Sequence, residues 1–128
     1  MDQISNLIIN IKNAGLARKD STSVPYSKLK HSIADVLKSE GYIKDAEERS
    51  EKGKKVLKID LLVENRVSRV KGVQRISKPS KRVYKKSTEM RAVKNGYGSL
   101  IVSTSAGVMT GKKAKAAKLG GEALFAIW

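Results

Sequence analysis

Ser103, Thr104 and Ser105 form an unbroken row of hydroxyls that leads through Ala106 into Gly107-Val108-Met109-Thr110. A hydroxyl both donates and accepts on a short stem, and a glycine beside it lets a ligand approach the backbone closely. Such a loop suits base edges and ribose 2′-hydroxyls in an irregular RNA helix, where a long lysine cannot reach. A plain polar turn, with Thr110 capping the next helix, accounts for the same residues, and on composition alone both readings stand. Two catalytic readings fail. Residues 107–112 read G-x-x-x-G-K, which is one residue short between the glycines for a phosphate-binding loop and is followed by Lys113 rather than Ser or Thr. A serine nucleophile needs a base, and the single histidine, His31, stands in the other half of the chain as a partly solvated helix residue.

A second constellation is basic. Arg75, Lys78, Lys81, Arg82, Lys85 and Lys86 bracket the turn Pro79-Ser80 and the aromatic Tyr84. On strands and turns such cations can follow a sugar-phosphate backbone, and Tyr84 can stack on an unpaired base or ribose. The alternative is a solvated charged face with Tyr84 in the core. Lys112, Lys113, Lys115 and Lys118 fall on a short helix, where phosphate contact and simple solvation are equally open. Trp128, ending an alternating segment, reads as core rather than as a ligand platform.

The elements that must position these groups follow from periodicity. Asp2 caps a helix with Ile4, Leu7, Ile8 and Ile11 on one face, which Gly15 is expected to end. Val24-Pro25-Tyr26 reads as extended. Ser27 caps a second helix over 28–40, with Leu29, Ile33, Val36 and Leu37 as its stripe and Gly41 closing it. Residues 42–48 and 56–62 form two strands around Gly53, and the alternation of Leu57, Ile59 and Leu61 with Lys58 and Asp60 buries one face. After Val67 come short β pieces over 70–77, 82–86 and 99–103. A Thr110-capped helix ending at Gly120-Gly121 follows, and then a last strand over 122–128. The expected class is α+β in two small domains. Residues 1–66 make an N-terminal α-β-α-β-β domain, and residues 67–128 a mostly β, strongly basic domain with a short helix.

Charge separates the two parts. The chain of 128 residues carries 27 Lys and Arg against 12 Asp and Glu, a net charge of +15. That exceeds what solubility requires and implies a polyanionic partner. Residues 1–64 hold 12 basic and 10 acidic side chains, whereas 65–128 hold 15 basic and only two acidic ones, Glu89 and Glu122. The footprint therefore lies on the second half. No cysteine is present, which excludes disulfides and thiolate metal sites. No apolar run of membrane length and no secretory signal is visible, so an intracellular, cytoplasmic protein is expected.

Val24-Pro25-Tyr26-Ser27-Lys28, Arg75-Ile76-Ser77-Lys78-Pro79, Arg82-Val83-Tyr84, Asn95-Gly96, the hydroxyl segment 103–110 and Gly120-Gly121-Glu122 occur in one order along nearly the whole chain. Together with the C-terminal Trp128, the set resembles the family of the eighth ribosomal protein of the small subunit. That resemblance implies a non-enzymatic ribosome constituent without cofactor or metal. It implies a partner in small-subunit 16S ribosomal RNA, gripped at an irregular helix of its central domain during 30S assembly. Neighbouring ribosomal proteins, and in some bacterial members the protein's own messenger RNA, are further implied partners; a membrane or a small-molecule substrate is not. The implied contacts are Ser103, Thr104, Ser105, Gly107 and Tyr84, with Gly121 and Glu122 beside the site. Arg75, Lys78, Pro79, Lys81, Arg82, Lys85 and Lys86 complete the second-half set, and Lys28 and Lys30 add two cations from the first half. Three departures stand out: Ala106 where the family commonly has Lys, Ser80 where it commonly has Gly, and Gln3 after Asp2 where an Asp-Pro pair is usual.

Overall fold

The computed structural model describes residues 2–128. Two compact units result, the first running to Lys71 and the second comprising Gly72–Trp128.

In the first unit, helix α1 (Gln3–Leu16) starts where the Asp2 carboxylate accepts from the Ile4 and Ser5 N–H groups, both at 3.0 Å. It buries Ile4, Leu7, Ile8, Ile11 and Ala14. Gly15 does not end it. The helix runs one residue further, and Arg18, at φ 57°, takes the left-handed position after the Ala17 cap. The N–H groups of Arg18 and Lys19 close back on Gly15 and Ala14, a Schellman ending. Gly15 is glycine for packing, since a Cβ there would come within 2.8 Å of the Ser68 side chain.

Strand β1 (Ser21–Pro25) begins three residues ahead of the extended piece expected at Val24-Pro25-Tyr26. Helix α2 (Lys28–Ser39) is capped by Ser27, whose hydroxyl accepts from Lys30 N–H at 3.1 Å, and Gly41 closes it at φ 81°. Its buried face is Lys30, Ile33, Ala34 and Leu37, while Leu29 stays exposed. The expected stripe thus turns by one residue. Lys30 can occupy a core position because its stem is apolar and its ammonium donates to the Pro25 carbonyl at 2.9 Å and to Asn6 Oδ1 at 3.2 Å. Burial lowers its pKa from the ordinary value.

Strands β2 (Ile43–Glu51) and β3 (Lys54–Leu61) form a hairpin, and β1 pairs with the other edge of β3. Lys52 and Gly53 both have positive φ at its tip, the arrangement whose twist suits a two-residue hairpin. A second such turn, Asn65-Arg66, joins β4 (Val63–Glu64) to β5 (Val67–Ser68). This hairpin belongs to the first unit, so the division falls at Lys71/Gly72 rather than between 66 and 67 as the charge and turn pattern suggests.

The second unit is built on β10 (Gly121–Ile127), whose run from Ala123 to Ile127 is buried throughout. β6 (Val73–Arg75) and β7 (Tyr84–Lys85) pair with one edge of β10. β8 (Ser99–Thr104) takes the other edge and pairs in turn with β9 (Gly107–Thr110). Helix α3 (Gly111–Ala116) starts at Thr110, whose hydroxyl accepts from Lys113 N–H at 3.2 Å. Lys118, at φ 57°, turns the chain after it, ahead of the glycine pair expected to do so. Met90, Leu100, Val102, Ala114 and Ala123 form a core on one face of this sheet.

Candidate nucleic-acid interface

Strand register decides which site residues meet. Tyr84 on β7 is opposite Glu122 on β10, Glu122 is opposite Ser103 on β8, and Ser103 is opposite Val108 on β9. Directly opposed residues in an antiparallel sheet send side chains to the same face, so these four form one row across the strand ends. The neighbouring row, Lys85, Gly121, Thr104 and Gly107, belongs to the other face. Tyr84 is 70% exposed, a surface aromatic rather than a core one.

The hydroxyl segment is the tip of the β8–β9 hairpin, not a loop between a strand and a helix. Thr104 holds this turn: its hydroxyl donates to the Gly107 carbonyl at 2.9 Å and accepts from Ala106 N–H at 3.1 Å. Gly107, at φ 112°, supplies a conformation that L side chains rarely adopt, with open space where a Cβ would stand. Ser105 is exposed at the tip. Among the described residues no protein group engages the Ser103 or Ser105 hydroxyl. Within the protein the close strand approach is at Gly121, where a Cβ would overlap the Ser103 carbonyl and stand 3.2 Å from the Thr104 Cα.

Beneath Tyr84, Glu122 ties the strand end to the basic run. Its carboxylate accepts from the buried Ser77 hydroxyl and, at 3.1 Å, from the Arg82 guanidinium, while Ser77 Oγ also accepts from Val83 N–H at 3.1 Å. The role of Ser77 has little signature in the sequence beyond a serine inside a basic run. Burial works to raise the Glu122 pKa, but the Ser77 and Arg82 hydrogen bonds and the charges of Arg82 and Arg75 outweigh it, holding the carboxyl below its ordinary 4.5. A carboxyl whose pKa falls on folding contributes stability that is whole above the unfolded value and fades as pH falls through the folded one. Wild type is therefore expected to melt above Glu122→Gln near neutral pH, with the gap closing as pH drops below about 4.5. Parallel melts across that range check this, and a gap independent of pH would contradict it.

The cations divide by partner. Lys78 and Lys81 exchange both backbone hydrogen bonds, each 3.0 Å, around the exposed Pro79-Ser80 turn, and both side chains are exposed. Ser80 adopts no positive φ, so the turn does not require the glycine that the resemblance suggested. Lys86 is exposed, Arg82 is partly engaged by Glu122, and Arg75 donates to the Leu124 carbonyl at 2.7 Å. Lys85 is half-buried and belongs to the face opposite Tyr84. In the first unit Lys28 is exposed, but Lys30 is only 4% exposed with its ammonium engaged, which removes it from the surface set. His31 lies between Tyr26 and Asp35. No group of metal-ligating side chains occurs among the described residues, and no described helix is long and apolar enough to cross a membrane.

A small α+β protein whose basic second unit exposes Ser105, Tyr84, Lys78, Lys81 and Lys86 has the surface chemistry of a nucleic-acid-binding class. The family model for Ribosomal protein S8 matches residues 2–128. Small ribosomal subunit protein uS8 of Ruminiclostridium cellulolyticum is 42% identical over 127 residues, which is 99% of this chain and 97% of the relative. The proteins of the same name from Paenarthrobacter aurescens and Pediococcus pentosaceus are 47% and 44% identical, each over 99% of this chain and 97% of the relative. The chain belongs to the ribosomal protein S8 family. It is a structural ribosomal protein and not an enzyme.

Proposed function

We propose that this protein, as a constituent of the cytoplasmic small ribosomal subunit, grips an irregular helix in the central domain of 16S ribosomal RNA through the strand-end row of its second unit. Held there, it stabilises that RNA fold during 30S assembly. The observation that carries this reading is the division of labour in the hairpin tip. Thr104 and Gly107 fix the turn, which leaves the Ser103 and Ser105 hydroxyls in a defined place with no partner among the described residues. Tyr84, in the same row as Ser103, offers a ring to an unstacked base or ribose. Lys78, Lys81 and Lys86 supply the sequence-independent part of the affinity through phosphates. Neighbouring ribosomal proteins are further partners in the particle. A messenger RNA carrying the same irregular helix would be a second ligand by the same chemistry, including the protein's own message.

Affinity for the irregular helix against a regular RNA duplex and against DNA tests the reading, with a clear preference for the irregular helix expected. Equal affinity for all three would mean that charge alone binds. In the same titrations, Lys81→Ala with Lys86→Ala should weaken binding to every RNA alike and flatten the log–log salt dependence. The expected change is roughly 0.7–0.9 units for each phosphate no longer neutralised. An unchanged slope would show that these ammonium groups do not touch phosphate.

A further inference from the structure

The opposite face of the second sheet carries a cleft of about 300 Å³ that the strand-end site does not use. Its floor is another register row, Gln74, Ala126 and Leu100, with Trp128 at one end and Lys85 at the other. The wall is the segment bearing Glu89, Arg91 and Lys94. Three cations thus face one carboxylate, and Glu89 already accepts from the Lys86 backbone N–H at 2.8 Å.

The Trp128 ring is fixed here by construction. Gly72 lies so close that a Cβ would come within 2.7 Å of the ring, and a Cβ on Gly98 would meet the Ile127 carbonyl at 2.6 Å and the Trp128 Cβ at 3.0 Å. Lys94 holds its ammonium 4.6 Å above the ring centre. It does so from a backbone at φ 49°, a conformation that costs energy for a lysine. A floor with one amide and two apolar side chains, an aromatic edge and converging cations are what an extruded nucleotide requires: a surface and a hydrogen-bonding group for the base, and positive charge for its phosphate. The volume, at the lower end for ligand pockets, holds one nucleotide rather than two.

We propose that this cleft is a second RNA site, taking a single unpaired nucleotide with its base on the cleft floor at the edge of Trp128 and its phosphate between Arg91 and Lys94. With the strand-end row on one face of the sheet and this cleft on the other, the second unit would hold two RNA segments at once. The cleft shares no residue with the strand-end row, so either site can fail without the other.

Trp128 is the only tryptophan in the chain, so its fluorescence reports on the cleft alone. The full-length protein is titrated with an unstructured hexaadenylate RNA and, separately, with inorganic phosphate at matched phosphate concentration. The RNA is expected to quench Trp128 saturably, and phosphate alone is not. Arg91→Glu, an exposed position, should raise the half-saturating RNA concentration roughly tenfold or more, the effect expected when attraction to a phosphate becomes repulsion. Tyr84→Ala should leave it unchanged. No saturable quenching, equal quenching by phosphate, or a curve that moves with Tyr84→Ala and not with Arg91→Glu would each overturn the proposal.

Discussion

Ser105→Ala should cost the specific RNA complex about 1–3 kcal/mol, the penalty for leaving a buried polar group of the RNA without its partner. That corresponds to a roughly 5- to 150-fold rise in Kd, with binding to a regular duplex almost unchanged. Because a hydroxyl carries no charge, its removal releases no counterions, and the salt slope should stay where it was. Thr104→Ala makes the internal comparison. Its hydroxyl is already engaged with Gly107 and Ala106, so its removal should appear first in the melting of the free protein, at about 0.5–1.5 kcal/mol per hydrogen bond. Binding isotherms at several salt concentrations, with melts alongside, separate the two. A Ser105→Ala protein that binds the irregular helix as tightly as wild type would reduce the hairpin tip to a plain turn.

The second large effect belongs to Gly121. Its missing side chain lets β10 and β8 pair where Gly121 meets Thr104, since a Cβ would overlap the Ser103 carbonyl. Backbone cannot move aside as a flexible side chain can. Gly121→Ala should therefore destabilise the protein by about 1–3 kcal/mol or more, the range for forcing atoms into a packed site. It should also displace Ser103 and Glu122 together, weakening RNA binding beyond the effect of removing either group alone. Gly107→Ala is a contrasting case, because there the space is open and only the positive φ opposes a side chain. A Gly121→Ala protein with wild-type melting and binding would mean that the strands do not approach as described.

Much of this was legible in the sequence for a simple reason: apolar spacing reports burial. The α1 face, the alternation along β3 and the Asp2, Ser27 and Thr110 caps all stand where spacing and side-chain chemistry put them. The exceptions share a cause. Spacing says which side chains are apolar, not which packing partner they find. Lys30 lies inside and Leu29 outside because an ammonium found Asn6 and the Pro25 carbonyl at the end of an apolar stem. Gly15 reads as a helix stop, yet it serves Ser68, a residue remote in sequence. Strand β9 was hidden because its partner β8 ends in hydroxyls, and polar alternation looks like a loop. Of the candidate site, the hydroxyls, Tyr84 and the lysines were visible as residue types. Their arrangement was not, because register separates Lys85 from its neighbour Tyr84 and joins Tyr84 to Glu122 and Ser103.

The central claim, that the β8–β9 tip and the Tyr84 row lie on one irregular RNA helix, can be measured directly because the chain contains no cysteine. A cysteine at Ala106, exposed at the tip where only the backbone N–H of that residue takes part in the turn, gives a single tether for an iron chelate that cleaves nearby RNA. Glu47→Cys, on β2 of the first unit, gives a control tether. With small-subunit RNA bound, cuts from position 106 should cluster on both strands of one irregular helix in the central domain, and cuts from position 47 should fall elsewhere or be absent. Cuts from position 106 scattered along the RNA, or matched at that helix by those from position 47, would contradict the assignment of this face.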